Sequence, residues 1–166
     1  MTGDGPWPDD LVEALAVAYH DQYRDHAGAD DPMGALTWAE LPDEQRESNR
    51  ASVRELRAGL AGWGYRVRPI GRNAHDARAG VTELPAELVE ELARAEHDRW
   101  VRDARAQGYV LGPERDDDRV PPTHPDLVEW QDLDERDRAK DNIRFATAPD
   151  LLARLGYEIL APNDHS

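Results

Sequence analysis

Apolar residues recur at three- and four-residue intervals over several stretches of this chain, the spacing that lines side chains along one helix face. After Pro8 and the acids Asp9 and Asp10, the set Leu11, Val12, Leu15 and Ala16 predicts a first helix running to about His26. Gly28 to Gly34 (GADDPMG) reads as a turn. Pro42-Asp43-Glu44 opens a second long helix, with proline and acids in the first turn, and it is predicted to end near Gly62 or Gly64. A third helix runs from Pro85 to near Gly108, and a fourth covers about Asp134 to Ala146. A last helical segment follows from Pro149 to Leu155, with Gly156 suited to the position just past its end. Tyr65-Arg66-Val67, closed by Pro69, and Tyr157 to Leu160 are short strand candidates. Tyr109 to Leu111 and Arg119-Val120 flank a polar turn (PERDDD) and suggest a small β-hairpin, stopped by Pro121, Pro122 and Pro125.

These elements come in two similar sets. Pro8 to Tyr23 (PDDLVEALAVAYHDQY) matches Pro85 to Trp100 (PAELVEELARAEHDRW) at a shift of 77 positions, so that Leu11, Leu15, Ala16, His20 and Asp21 recur as Leu88, Leu92, Ala93, His97 and Asp98. Trp38 to Val67 matches Trp130 to Ile159 at a shift of 92, so that Trp38, Leu41, Arg46, Leu60, Gly64 and Tyr65 recur as Trp130, Leu133, Arg138, Leu152, Gly156 and Tyr157. The change of shift means that the second copy holds fifteen extra residues between its halves. One supersecondary unit used twice predicts a mainly α fold, a pseudo-twofold tandem of two helix-pair repeats with a small hairpin and short terminal strands. The expected boundaries are 1–69 for the first repeat, 70–84 for a linker and 85–162 for the second, the whole forming one compact unit.

Charge narrows the function. The formal net charge of −15 argues against nucleic acid or an anionic membrane as the main partner, although a few local arginines can still hold a small phosphorylated ligand. With no cysteine, disulfides, thiolate zinc sites and a cysteine nucleophile are ruled out. No apolar run approaches the roughly 20 residues that span a bilayer, and the acidic start MTGDGPWPDD lacks the features of a signal peptide, so a cytoplasmic location is expected.

The third helix carries an unusual feature. Leu88, Val89, Leu92, Ala93, Trp100 and Ala104 cover one arc, and Glu96 falls in its middle, with Arg99 and Asp103 also on it. The first copy has Tyr19, Gln22 and His26 in those places. Either the three form an intrahelical ion network at the rim of the core, or they mark a polar pocket that needs charge inside. His97, at the edge of the arc, reads as a histidine bonded to a neighbouring loop, and its recurrence as His20 favours a structural role.

The order of these residues resembles the RyR repeat, a module found as tandem pairs in ryanodine receptor channels and in many bacterial proteins. The second copy carries Glu96-His97-Asp98-Arg99-Trp100, then Gly108-Tyr109 and Gly112, His124-Pro125-Asp126-Leu127, Trp130, Lys140-Asp141 and Gly156-Tyr157. The first carries His20, Tyr23, Trp38-Ala39-Glu40-Leu41-Pro42 and Arg46-Glu47-Ser48-Asn49-Arg50. It lacks the Gly-Tyr hairpin and the His-Pro motif, and Asn142 to Pro149 does not align cleanly with the family pattern. The resemblance implies a non-catalytic regulatory module, with adenine-type nucleotides as the ligand class to try first.

Three classes of function compete for this sequence. In a small-molecule binding module, the second repeat would supply most of the cleft. Tyr109 would stack on a base with Trp100 behind it, Glu96 would line the cleft, Arg99 and Lys140 would face an anion, and Asn49-Arg50 would be the first repeat's contribution. In a protein-interaction scaffold, the acid-rich stretch Glu114 to Asp118 would dock a basic partner. An enzyme is disfavoured: Ser48, Ser52 and Ser166 sit in no nucleophile elbow, and there is no P-loop and no H-E-x-x-H. No metal site or cofactor is expected, since His20 and His26 fall on different faces of their helix and Asp116 to Asp118 lacks the glycine and distal glutamate of a calcium loop.

Overall fold

The computed structural model describes residues 6–71 and 79–163. The start of the N-terminal run, residues 1–5, the middle of the expected linker, residues 72–78, and Ser166 lie outside them. Five helices carry the fold: α1 (Asp9–His26), α2 (Asp43–Gly62), α3 (Ala86–Ala106), α4 (Glu135–Ala146) and α5 (Ala148–Arg154). Short 3-10 turns at Trp38–Glu40 and Trp130–Asp132 precede α2 and α4. The strands are β1 (Arg66–Pro69), β2 (Val110–Leu111), β3 (Thr123–His124) and β4 (Tyr157–Leu160).

Proline and glycine set the helix limits. Pro8, Pro42 and Pro85 each stand just before a helix, with φ fixed near −55° and extended ψ, so the chain enters α1, α2 and α3 at a defined angle. α4 starts instead on Asp134, whose carboxylate accepts from the Asp137 N–H at 2.9 Å. α2 and α3 end alike. Gly64 and Gly108 take φ of 81° and 93°, and the next residue, Tyr65 or Tyr109, donates its N–H to a carbonyl five residues back (Leu60, 2.9 Å; Ala104, 3.0 Å). A side chain at either glycine would oppose the left-handed turn that closes this cap.

The main core draws on both halves of the chain, with Leu15, Tyr19, Val53, Leu56 and Leu60 against Leu88, Leu92, Phe145, Leu152 and Ile159. α2 and α3 pass so closely that a Cβ on Gly59 would lie 2.2 Å from Leu92 Cδ2. β1 and β4 join the halves as an antiparallel pair, with Arg66 opposite Leu160, Val67 opposite Ile159 and Arg68 opposite Glu158. Under the shift of 92, exchanging the copies leaves these three pairs unchanged.

Other contacts recur as the sequence repeat does. His20 Nε2 meets the Leu36 carbonyl at 2.7 Å, and His97 Nε2 meets the Val128 carbonyl at 2.7 Å. His20 lies tilted on Trp38 with ring centroids 6.2 Å apart, as His97 does on Trp130 at 6.0 Å. Both histidines are thus loop anchors, the structural role expected for them, and both tryptophans pack where the chain enters the next helix.

The inserted segment departs from expectation. β2 pairs with β3, not with Arg119-Val120, and the two strands run parallel. Val120 is 93% exposed. The cause is local: the Asp116 carboxylate accepts from the Asp118 and Arg119 N–H groups at 3.1 Å, tying residues 116–119 into a tight turn. Pro121 and Pro122 have no N–H to donate to a ladder, but the Pro122 carbonyl accepts from Val110 N at 2.9 Å, and pairing resumes at Thr123.

Candidate functional site

Glu96 and Arg99 sit between the helices, 4% and 5% exposed. Arg99 grips Glu96 with two N–H groups, at 2.9 and 2.6 Å, donates to Asp103 at 2.7 Å and reaches Ser48 on α2 at 3.2 Å. Arg144 of α4 enters from the other side. It donates to Ser52 at 2.9 Å, to Asn49 at 3.2 Å and to Glu96 at 3.4 Å, and its guanidinium lies 4.9 Å above the Tyr19 ring. Burial opposes the charge on Arg99, but the bonds to Glu96 and Asp103 outweigh it and hold its pKa above the usual arginine value. The ion network read from the third helix is therefore present, and it is buried and extended across three helices. Asp141, also enclosed here, makes no hydrogen bond or ion pair among the described residues, and burial pushes its carboxyl up to about 6.

The expected site residues separate into four places. Glu96, Arg99 and Asn49 share this network. Trp100 and Tyr109 belong to a second cluster under the inserted segment, where Trp100 meets His124 edge-on at 4.8 Å and Tyr109 donates to Asp117 at 2.8 Å. Burial and that bond raise the Tyr109 pKa, while burial, reinforced by nearby Arg115, lowers that of His124. Lys140 is on the surface, paired with Asp137 at 2.8 Å. Arg50 lies in the first half, bidentate on Glu13 at 2.6 and 3.2 Å, and so contributes nothing to the Glu96 network. Each cation proposed for an anion is thus already on a carboxylate. The sequence reading missed Arg144, Ser48, Ser52, Asp141 and Glu13. The repeat holds a signal for one of them: Arg144 aligns with Ser52 under the shift of 92, and the two meet.

An open cavity lies elsewhere. About 630 Å3 of space is bounded by the start of α3, the Trp130 turn and one face of α4, with Glu90, Trp130, Glu135, Arg138, Ala139 and Asn142 on its walls. Trp130 is 5% exposed and forms the floor. Arg138 makes no ion pair among the described residues, and Glu90 has only a 3.7 Å contact with Arg94 at the rim. No group of metal-binding side chains occurs among the described residues, and none of their helices is long and apolar enough to cross a membrane.

Fold and geometry together define a mainly helical module organised around a charged network between its helices. The chain belongs to the RyR domain family, whose model matches residues 78–161, just over half of the 166 residues. That span takes in α3 to β4, the cavity's walls and the Glu96–Arg99 pair, while the first copy lies outside it. No curated protein matches the chain.

Proposed function

We propose that this chain is a non-catalytic binding module of the RyR type, and that the second repeat carries its ligand site. The observation that carries the reading is the cavity of about 630 Å3, which lies wholly within the family span and is of the size of small-molecule pockets. The Glu96 network, none of whose residues lines the cavity, is structural rather than the site, because its donors are occupied. Adenine-type nucleotides suggested by the family resemblance remain the first comparison set, but three carboxylates (Glu83, Glu90 and Glu135) against one arginine make this a poor place for a polyphosphate. A thermal-shift panel of nucleosides, nucleotides, amino acids and amines tests the reading. A ligand at 100 times its dissociation constant should stabilise the fold by about 2.7 kcal/mol, and a variant that fills the cavity should lose that effect. If every ligand effect survives filling, the site is wrong.

A second reading, docking to a protein partner, draws on the inserted segment. Leu111 and Val120 are 59% and 93% exposed there, beside the acids Glu114 to Asp118. Loss of a partner on replacing Leu111 and Val120 by serine, with no change in small-molecule response, would favour it.

A further inference from the structure

The two copies differ at the cavity in a way that suggests its occupant. In the first copy, Trp38 and Glu13 hold a guanidinium. Arg50 lies with its Cζ 5.6 Å from the Trp38 ring centroid and bonds Glu13 with two N–H groups at 2.6 and 3.2 Å. The Trp38 indole N–H also donates to Glu13, at 3.1 Å, fixing the carboxylate beside the ring. Under the two shifts, Trp38 corresponds to Trp130, Glu13 to Glu90 and Arg50 to Asn142. Tryptophan and glutamate are kept, and the arginine is replaced by a shorter, neutral side chain. Glu47 and Arg54, on the same face of α2, become Ala139 and Ala146. The space this opens is the cavity, and all five replacements or retained partners line it.

From this we infer that the cavity binds a guanidinium group, which takes over Trp130 and against Glu90 the place that Arg50 fills in the first copy. The inference rests on the binding-module reading and adds the ligand's chemistry. A flat cation can pair its N–H edge with a carboxylate while it rests against indole, and the cavity offers exposed Glu90 together with the narrow strip of Trp130, 5% exposed, that reaches its wall. Glu83 and Glu135 add negative potential around the same space, and Arg138, without an ion pair among the described residues, offers a contact for a carboxylate elsewhere on the ligand. An adenine ring could use the tryptophan, but it has no cationic edge for Glu90. Free guanidino compounds and an arginine side chain of a peptide share the recognised chemistry.

The test is calorimetric titration of the full chain with agmatine, free arginine, N-acetylarginine amide, citrulline (arginine's uncharged isostere), adenosine and ATP. One carboxylate pair and one cation–π contact point to a dissociation constant on the order of 1 mM. The expected result is binding of the guanidino compounds and not of citrulline. Asn142→Arg, which supplies the missing arginine in cis, should abolish it, and Glu90→Gln, an exposed and fold-neutral change, should weaken it at least about tenfold. N-acetylarginine amide binding as well as agmatine would mark a peptide arginine as the source, and much weaker binding would mark a free compound. The inference is overturned if no guanidino compound binds, if citrulline binds equally, or if either variant leaves binding unchanged. If adenosine or ATP binds and loses binding in Asn142→Arg while guanidino compounds do not bind, the guanidinium assignment falls and the binding module stands. If no ligand responds to Asn142→Arg, both fall.

Discussion

Replacing Glu96 by glutamine should destabilise the protein more than any surface charge change of the same kind. The substitution keeps the shape of the side chain but leaves Arg99, 5% exposed, without the carboxylate it grips at 2.6 and 2.9 Å, and removes the anion 3.4 Å from Arg144. Breaking a buried pair by neutralising one partner costs about 3–5 kcal/mol. Here Arg99 keeps Asp103 and Ser48, Arg144 keeps Ser52 and Asn49, and the glutamine oxygen still accepts one bond, so the expected cost is about 2–4 kcal/mol. Asp103→Asn is the control: its side chain is 49% exposed and should cost less than about 1 kcal/mol. Urea unfolding by circular dichroism reads both, and for a chain of this size the glutamine variant should also melt about 4–16 °C lower. Equal costs for Glu96→Gln and Asp103→Asn would refute the argument that burial makes this network matter. The double change Glu96→Met with Arg99→Met should recover most of the loss, since it leaves no buried charge from that pair.

Asp141 should make stability pH-dependent. Its carboxyl, raised by burial to about 6, holds a proton in the folded state that the unfolded chain releases near 4, so stability falls as pH rises from about 4 through 6, by up to about 3 kcal/mol. Asp141→Asn, which copies Asn49 of the first half, should remove that slope and exceed the parent in stability at pH 7; a parallel slope in the variant would assign it to other groups. Gly59→Ala should destabilise by about 1–3 kcal/mol despite the better helix propensity of alanine, because its methyl would stand 2.2 Å from Leu92; a rise in melting temperature would show that Leu92 can move aside. Tyr19→Phe removes a fully buried hydroxyl that has no hydrogen-bond partner among the described residues, and should be neutral or stabilising by about 1 kcal/mol in the same unfolding assay; a clear loss of stability would reveal a bond to that oxygen.

The helices were legible because each is bracketed by local chemistry. Pro42 with two acids and the glycines at 64, 108 and 156 act within a few residues of the ends they define, so a single sequence carries the signal. The ion network was half legible: Glu96, Arg99 and Asp103 share one helix face, and periodicity finds them. Their partners Ser48, Ser52 and Arg144 stand roughly fifty residues away in sequence, on helices whose relative rotation no local pattern encodes. The inserted segment misled for a similar reason. Alternating residues around a polar turn promise a hairpin, but Asp116 binding the backbone ahead of it and two prolines in series redirect the returning strand to a parallel path.

Divergence between the copies follows from where each position lies relative to the join. Positions that serve a copy internally are preserved: the histidine that anchors its loop, the tryptophan beneath it and the glycine that ends its helix. Positions that meet at the contact between halves cannot stay identical if the contact is to be filled with charge. Two glutamates in the places of Tyr19 and Glu96, or two arginines in those of Ser52 and Arg144, would face each other across a buried space and repel. One copy must take the charge and the other the neutral partner, and the observed pairs, Arg144 with Ser52 and Arg144 over Tyr19, follow that rule. The cavity is the other kind of difference. Asn142, Ala139 and Ala146 lie away from the join, where no neighbour demands the exchange of Arg50, Glu47 and Arg54 for smaller side chains. Glu47 and Arg54 are more than half exposed, so their replacement by alanine removes an ion-pair cluster around a retained tryptophan and glutamate rather than core packing, and this is the difference on which the ligand proposal rests.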